Sequence, residues 1–292
     1  MQPVSKKLVY TTLALLAFAA NSVLCRLALG SNTIDASSFT VIRLLSGVLA
    51  LYIFLKLSNR NKDVTSRGSW FSSVMLFLYA ITFSFAYISL DTGTGALILF
   101  GSVQITMIIL SLLSGNKLHI TEWLGISVAF FGLIYLVLPD VSTPSLTDFL
   151  LMTVAGIAWG IYTINGRGSA NPLAETYYNF LRTTPIIFVL MAITFYNAHY
   201  SFEGIVLAIM SGAIASDIGY TIWYLALSHI SVAQAAVSQL LVPVIAIFGG
   251  IVFVSETITL RLTLSASLIL SGILIVLLKR YYFGKNNNNN KI

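Results

Sequence analysis

Ten apolar blocks, each of about 18 to 25 residues and almost free of charge, follow one another along the chain with short connections between them. They run at roughly 8–29, 35–56, 70–90, 93–114, 121–138, 146–165, 172–195, 202–227, 232–254 and 260–278. As a helix, such a block covers about 30 Å, the thickness of bilayer hydrocarbon. The runs are continuous rather than alternating, and a backbone in lipid must satisfy its polar groups within the segment, so the pattern predicts helices and not a barrel. Composition agrees: 57% of the 292 residues are hydrophobic and 9% charged, against about 25% charged in a soluble domain. The predicted fold class is all-α integral membrane, with ten transmembrane helices.

The net charge of +6 excludes little until its distribution is read. With a cytoplasmic amino terminus, that side receives Lys6, Lys7, Lys56, Arg60, Lys62, Arg67, Lys117, Arg167, Lys279, Arg280, Lys285 and Lys291, while the other side holds Arg26 and Arg261. This is a positive-inside bias; it places both termini in the cytoplasm of a multi-pass cell-membrane protein and makes nucleic acid an unneeded explanation. Lys6-Lys7, the apolar run and Ala17-Phe18-Ala19 have the outline of a cleavable signal, but the segment matches a later internal span, which argues for its retention. Cys25 is the single cysteine, so no intramolecular disulfide forms. Residues 281–292, rich in Asn, are expected to be a disordered cytoplasmic tail.

Sliding the chain on itself by 137 to 141 residues brings Phe18 over Trp159, Arg26 over Arg167, Asn32 over Asn171 and Arg43 over Arg182. Tyr87-Ile88-Ser89-Leu90 falls over Tyr224-Leu225-Ala226-Leu227, and Gly132-Leu133-Ile134 over Gly272-Ile273-Leu274. Residues 1–140 and 141–280 therefore read as two repeats of five helices. Five is odd, so the second copy enters the membrane from the opposite face, and inverted repeats are the common pattern of secondary transporters.

Phe18 or Trp159 followed by Arg43 or Arg182, the segment Gly219 to Leu227, and Gln239-Leu240-Leu241-Val242-Pro243 resemble the drug/metabolite transporter superfamily, with two EamA-like domains. Ser255-Glu256-Thr257 is similar to the Gly-Glu turn that precedes the last helix in that family. The first repeat departs from the pattern, with Thr106 at the place of Pro243 and about Asn116 at that of Glu256. The resemblance implies an exporter or exchanger of small metabolites; it does not select one.

A charge at bilayer depth is costly and needs a partner or water. Arg43 and Arg182 lie about 12 and 15 Å from their nearer helix ends, at mirrored depths. Asp217 falls at nearly the depth of Arg182, so a pair between them is predicted; a static helix clamp and a proton-carrying coupling acid are both open readings of Asp217. An Arg is also suited to a substrate carboxylate. Tyr220, Thr221 and Tyr224 share a face with Asp217 at helical spacing, and Trp159 with Thr163 forms a similar wall. Asn21, Gln104 and Gln239 are intramembrane amides, either interhelical glue or cavity lining. Pro243 is a candidate hinge. The small faces of the fifth and tenth spans (Gly125, Ala129, Gly132; Ser267, Ser271, Gly272) predict a close pair at the periphery or between the halves, and leave monomer and homodimer both open.

No phosphate-binding Gly-Lys-Ser/Thr loop, His or Cys metal pattern or Gly-x-Ser-x-Gly elbow is found, so no cofactor is expected. The function expected is secondary transport of a small polar metabolite such as an amino acid or related compound by alternating access, with proton coupling an open question. An intramembrane enzyme acting on a lipid-linked group and a non-transporting sensor or scaffold are the alternatives.

Overall fold

The computed structural model describes residues 4–57, 67–115, 120–138, 144–166, 169, 171–227 and 238–289, with the backbone alone given at 4–7, 137, 224, 225, 227 and 277–289. Among these residues the regular structure is helix, with one antiparallel bridge between Ile34 and Tyr200 in the connections. The helices are α1 (Val4–Gly30), α2 (Ala36–Leu57), α3 (Trp70–Ala86), α4 (Thr92–Leu113), α5 (Ile120–Val137), α6 (Leu146–Asn165) and α7 (Pro172–Thr194), then α8, α9 (Leu241–Val254) and α10 (Leu260–Asn289). α8 is composite. It is α-helical over Phe202–Ile209, π-helical over Met210–Ile218 and α-helical again over Gly219–Leu227.

The starts follow local chemistry. Ser69, Ser145 and Ser201 accept the backbone N–H three residues on with their hydroxyls, and Asn171 does so with its amide oxygen just before Pro172. Each satisfies a donor that the first helical turn leaves free, and proline at the first helical position loses nothing by lacking its N–H.

α1, α2, α4, α6, α7 and α8 are long and apolar enough to cross a membrane, while α3, α5, α9 and the apolar part of α10 are shorter apolar segments. Their outward faces carry large apolar side chains, among them Leu49, Phe131, Phe188, Ile193, Phe248 and Val252. In water such a surface would aggregate; against lipid tails it is the ordinary exterior. The chain is a multi-pass membrane protein. α10 continues through Asn289, where the sequence predicts disorder from residue 281; no proline follows Leu260 to stop it. The boundary expected between residues 140 and 141 lies outside the described residues.

The helices pair across the sequence midpoint. α5 packs on α10 and α2 on α7; α1 packs on α8 and α9, as α4 and α3 both pack on α6; α2 packs on α8, as α3 packs on α7. The small faces expected to close on one another do so. A side chain at Gly125 would begin 2.5 Å from the Gly272 carbonyl, and one at Gly272 would meet the Gly125 carbonyl at the same distance. These glycines are consumed within one chain, so they do not present a dimer face.

Candidate functional site

Near mid-length, where α1, α3, α4, α6 and α8 meet, the bundle holds a small chamber of about 20 Å³, room for about one water in this conformation. One wall is aromatic. Trp159 lies 4.8 Å from Tyr220 and 4.9 Å from Tyr79, centroid to centroid, and Phe18 lies 5.8 Å from Tyr220. The other wall is polar and uncharged, built from Asn21, Ser22, Ser216 and the Tyr79 hydroxyl. The lining sets rings that an apolar group could lie on opposite groups that hydrogen-bond a polar end, and a solute larger than water requires the helices to part around it.

Of the residues singled out in the sequence, the chamber unites Asn21, Trp159 and Tyr220. Asn21 accepts from the Ser211 hydroxyl at 2.6 Å and donates to the Tyr79 hydroxyl at 3.4 Å. Tyr79, not anticipated, is the hub: it also accepts from Arg43 Nη2 at 3.0 Å. The signal for it was present, because Tyr79 is the repeat mate of Ser216, which accepts from the same nitrogen at 3.4 Å. Thr163 and Thr221 turn away from the chamber and donate to the carbonyls of Trp159 and Asp217. The side chain of Tyr224 lies outside the described residues.

Arg43 is buried directly behind this polar wall, its guanidinium carbon 5.3 Å from the Tyr79 ring centre and 5.0 Å from that of Phe83. Asp217 is fully buried beside it and faces away from the chamber: a side chain at Gly47, one turn beyond Arg43 on α2, would begin 2.8 Å from Asp217 Oδ2. Asp217 Oδ1 and Oδ2 and Arg43 Nη1 have no hydrogen-bond partner among the described residues.

The predicted pair between Asp217 and Arg182 does not form. Arg182 reaches the Arg67 carbonyl and stacks at 5.9 Å over Trp70. The reason is geometric, since α8 packs on α2 while α7 packs on α3, and equal depth in the bilayer does not make two residues neighbours. On α3 the position that mirrors Asp217 is Ala80, so Arg182 meets no acid there and turns to the end of the helix.

Gln104 and Gln239 are buried but do not line the chamber. Gln104 Nε2 has no partner among the described residues. Ser238 and Gln239 are helical, Leu240 is a turn and α9 resumes at Leu241, so the helical path is interrupted just before Pro243, where proline lacks the N–H that would reach Gln239 four residues back; residues 228–237 are outside the described part. Proline inside a helix is found at Pro185 of α7.

One end of the bundle is tied by two sets of contacts. Glu256 Oε1 and Oε2 accept the Thr92 N–H at 2.8 and 3.0 Å, Oε1 also accepts the Thr92 hydroxyl at 2.9 Å, and Arg26 Nε stands 3.5 Å from it. Arg26 further approaches Asp91 at 3.6 Å and donates to the Ile88 carbonyl at 2.9 Å. Ser255, where the related turn has Gly, carries φ of 60°, the left-handed conformation that explains the family's preference. In the second set, Asp35 accepts the N–H of Ser38 and of His199, and the Ser201 N–H reaches the Thr33 carbonyl. Partial burial acts to raise the Asp35 carboxyl, but these hydrogen bonds outweigh it and hold the group below the usual carboxylate range.

Comparison with known proteins gives the lineage. The EamA-like transporter family matches residues 147–278. The uncharacterized protein PA1977 of Pseudomonas aeruginosa is 43% identical over 275 residues, 94% of this chain and 96% of that protein. The uncharacterized transporter YoaV of Bacillus subtilis is 20% identical, over 84% of this chain and 88% of its own. A protein crystal structure superposes with a TM-score of 0.64 at 15% identity, covering 91% of this chain and 96% of that one, which speaks to fold alone. Residues 147–278 are thus a domain of the EamA-like transporter family, and this match together with the transporter-named relatives supports a place for the chain in the drug/metabolite transporter superfamily.

Proposed function

We propose that this transporter moves a small polar metabolite, an amino acid or related compound, outward or by exchange, through alternating access of two inverted five-helix repeats, residues 1–140 and 141–280. The observation that carries the reading is the chamber at mid-bundle, with one aromatic and one hydrogen-bonding wall, lined by helices from both halves. The reciprocal helix partners support the inverted arrangement: every packing of a first-half helix on a second-half helix described above has its mirror. With the termini in the cytoplasm, the Arg26–Glu256 and Asp35–His199 contacts lie at the outer end.

The test is counterflow in proteoliposomes loaded with pooled amino acids, amines and sugar phosphates, with Arg182→Ala as a variant outside the chamber. Accumulation of at least one labelled pool member, retained in Arg182→Ala and abolished in Trp159→Ala, is expected. Equal accumulation in protein-free vesicles defeats the proposal. Charge-selective labelling of cysteines placed at Asn32 and at Lys56 reads the orientation.

A further inference from the structure

The two hydroxyls on the chamber's polar wall are used in an uneven way. Tyr79 Oη accepts hydrogen bonds from Arg43 Nη2 and Asn21 Nδ2, and Ser216 Oγ accepts from Arg43 Nη2. Neither donates its own proton to any described residue. A hydroxyl whose lone pairs are occupied by a guanidinium is a polarised donor, and charge-assisted chains of this kind are the stronger hydrogen bonds. Both residues line the chamber, so two free donors with a positive charge behind them face the space where a solute sits.

We propose that this wall binds a carboxylate, and that Asp217 takes up a proton as the carboxylate binds, so that anion and proton are carried together. The proposal rests on the transport reading and deepens it by naming the group held and the sign of coupling.

The argument is one of charge. Arg43 is the cation of this region, and Asp217, buried beside it with both oxygens free, is its counter-charge. The other titratable groups around the two are Tyr79 on α3, Tyr220 further along α8 and Cys25 on α1, none of them a carboxylate or an amine. With Asp217 ionised the region is neutral. A carboxylate added at Tyr79 and Ser216 would leave one uncompensated negative charge in a low-dielectric space. Protonating Asp217 restores neutrality, its carboxyl hydrogen forming at Oδ1 or Oδ2. Asp217 cannot instead act as the ligand of a substrate cation, because it faces Gly47 and Phe180 rather than the chamber. By linkage, whatever the anion does for the proton, the proton does for the anion.

The experiment titrates the purified full chain in detergent with phenylacetate, a carboxylate bearing one ring, and with neutral phenylacetamide, following tryptophan fluorescence from pH 8 to 5.5. Phenylacetate affinity should rise as pH falls, by up to about tenfold per pH unit, the limit for one linked proton. The slope should vanish in Asp217→Asn, persist in Asp217→Glu, and affinity should drop at least tenfold in Tyr79→Phe/Ser216→Ala. A melting transition in each variant shows that it is folded. A pH-independent affinity in the native chain, or the same slope in Asp217→Asn, overturns the coupling. No binding of phenylacetate at any pH, or equal binding of phenylacetamide, overturns the carboxylate assignment, and counterflow of other pool members would then leave the transport reading standing.

Discussion

Replacing Glu256 by Ala should cost about 3 kcal/mol. Its side chain is 12% exposed and joins the turn after α9 to the start of α4. Removing it frees the Thr92 N–H, a capping interaction of about 1 kcal/mol. It also frees the Thr92 hydroxyl, about 1 kcal/mol, and deprives half-buried Arg26 of a carboxylate at 3.5 Å, about 1 kcal/mol more. For a chain of this size that corresponds to a fall of about 6 °C in melting temperature, read by tryptophan fluorescence in detergent. Thr92→Val alone removes only the hydroxyl and should cost about 1 kcal/mol. Because that energy passes through Glu256, the double variant should be no less stable than Glu256→Ala by more than about 0.5 kcal/mol. A shift under about 1 °C for Glu256→Ala, or full additivity in the double variant, would refute the account of this junction.

Gly212→Ala places its new carbon 2.1 Å from the Arg43 carbonyl, whereas at Gly101 the nearest atom is 3.5 Å away; the first should lose about 1–3 kcal/mol by overpacking and the second should be neutral or gain about 0.5–1 kcal/mol, both in the same melts. Asp35 is held below the usual carboxylate range, so the contacts it makes persist through that range and are lost only as pH falls below it. The Ser38 and His199 amides should therefore stay protected at about pH 4 in the native chain and exchange faster at that pH in Asp35→Asn; protection already lost at about pH 5 in the native chain contradicts this. Arg43→Lys should lower counterflow at least tenfold, because a flexible, strongly hydrated ammonium replaces the planar guanidinium that packs on the Tyr79 and Phe83 rings, while Arg182→Lys should stay within about twofold, its contacts being with Arg67 and Trp70.

Helix positions were legible in the sequence because hydrocarbon thickness dictates them: α2, α4 and α6 begin and end within a few residues of the apolar blocks. Adjacency was not. Depth along a helix is encoded locally, but which face meets which neighbour depends on the whole bundle, so Asp217 was assigned to Arg182 at equal depth when its neighbour is Arg43. The stripe of Asp217 with Tyr220 failed for a local reason. It assumed α-helical spacing through a stretch wound as π-helix, so Tyr220 faces the chamber while Asp217 faces α2. Asn21, Trp159 and Tyr220 were found because polar and aromatic side chains at mid-span need a reason to be there. Tyr79 was missed because one tyrosine among 14 carries no such mark until its repeat mate is examined.

The nine π-helical residues of α8 also bear on chain length. In a regular α-helix, losing one residue turns everything beyond it by about 100°. A π-helical turn already contains surplus chain, each N–H reaching one residue further back than in an α-helix. Deleting a single residue between Met210 and Ile218 would let the segment tighten toward α pitch, preserving a continuous rod while swinging Tyr220 and Trp223 around its axis. The spacing between Phe202 and Leu227 thus acts as a phase setting for the aromatic wall, and a one-residue change in length there disturbs the chamber more than most substitutions at its surface.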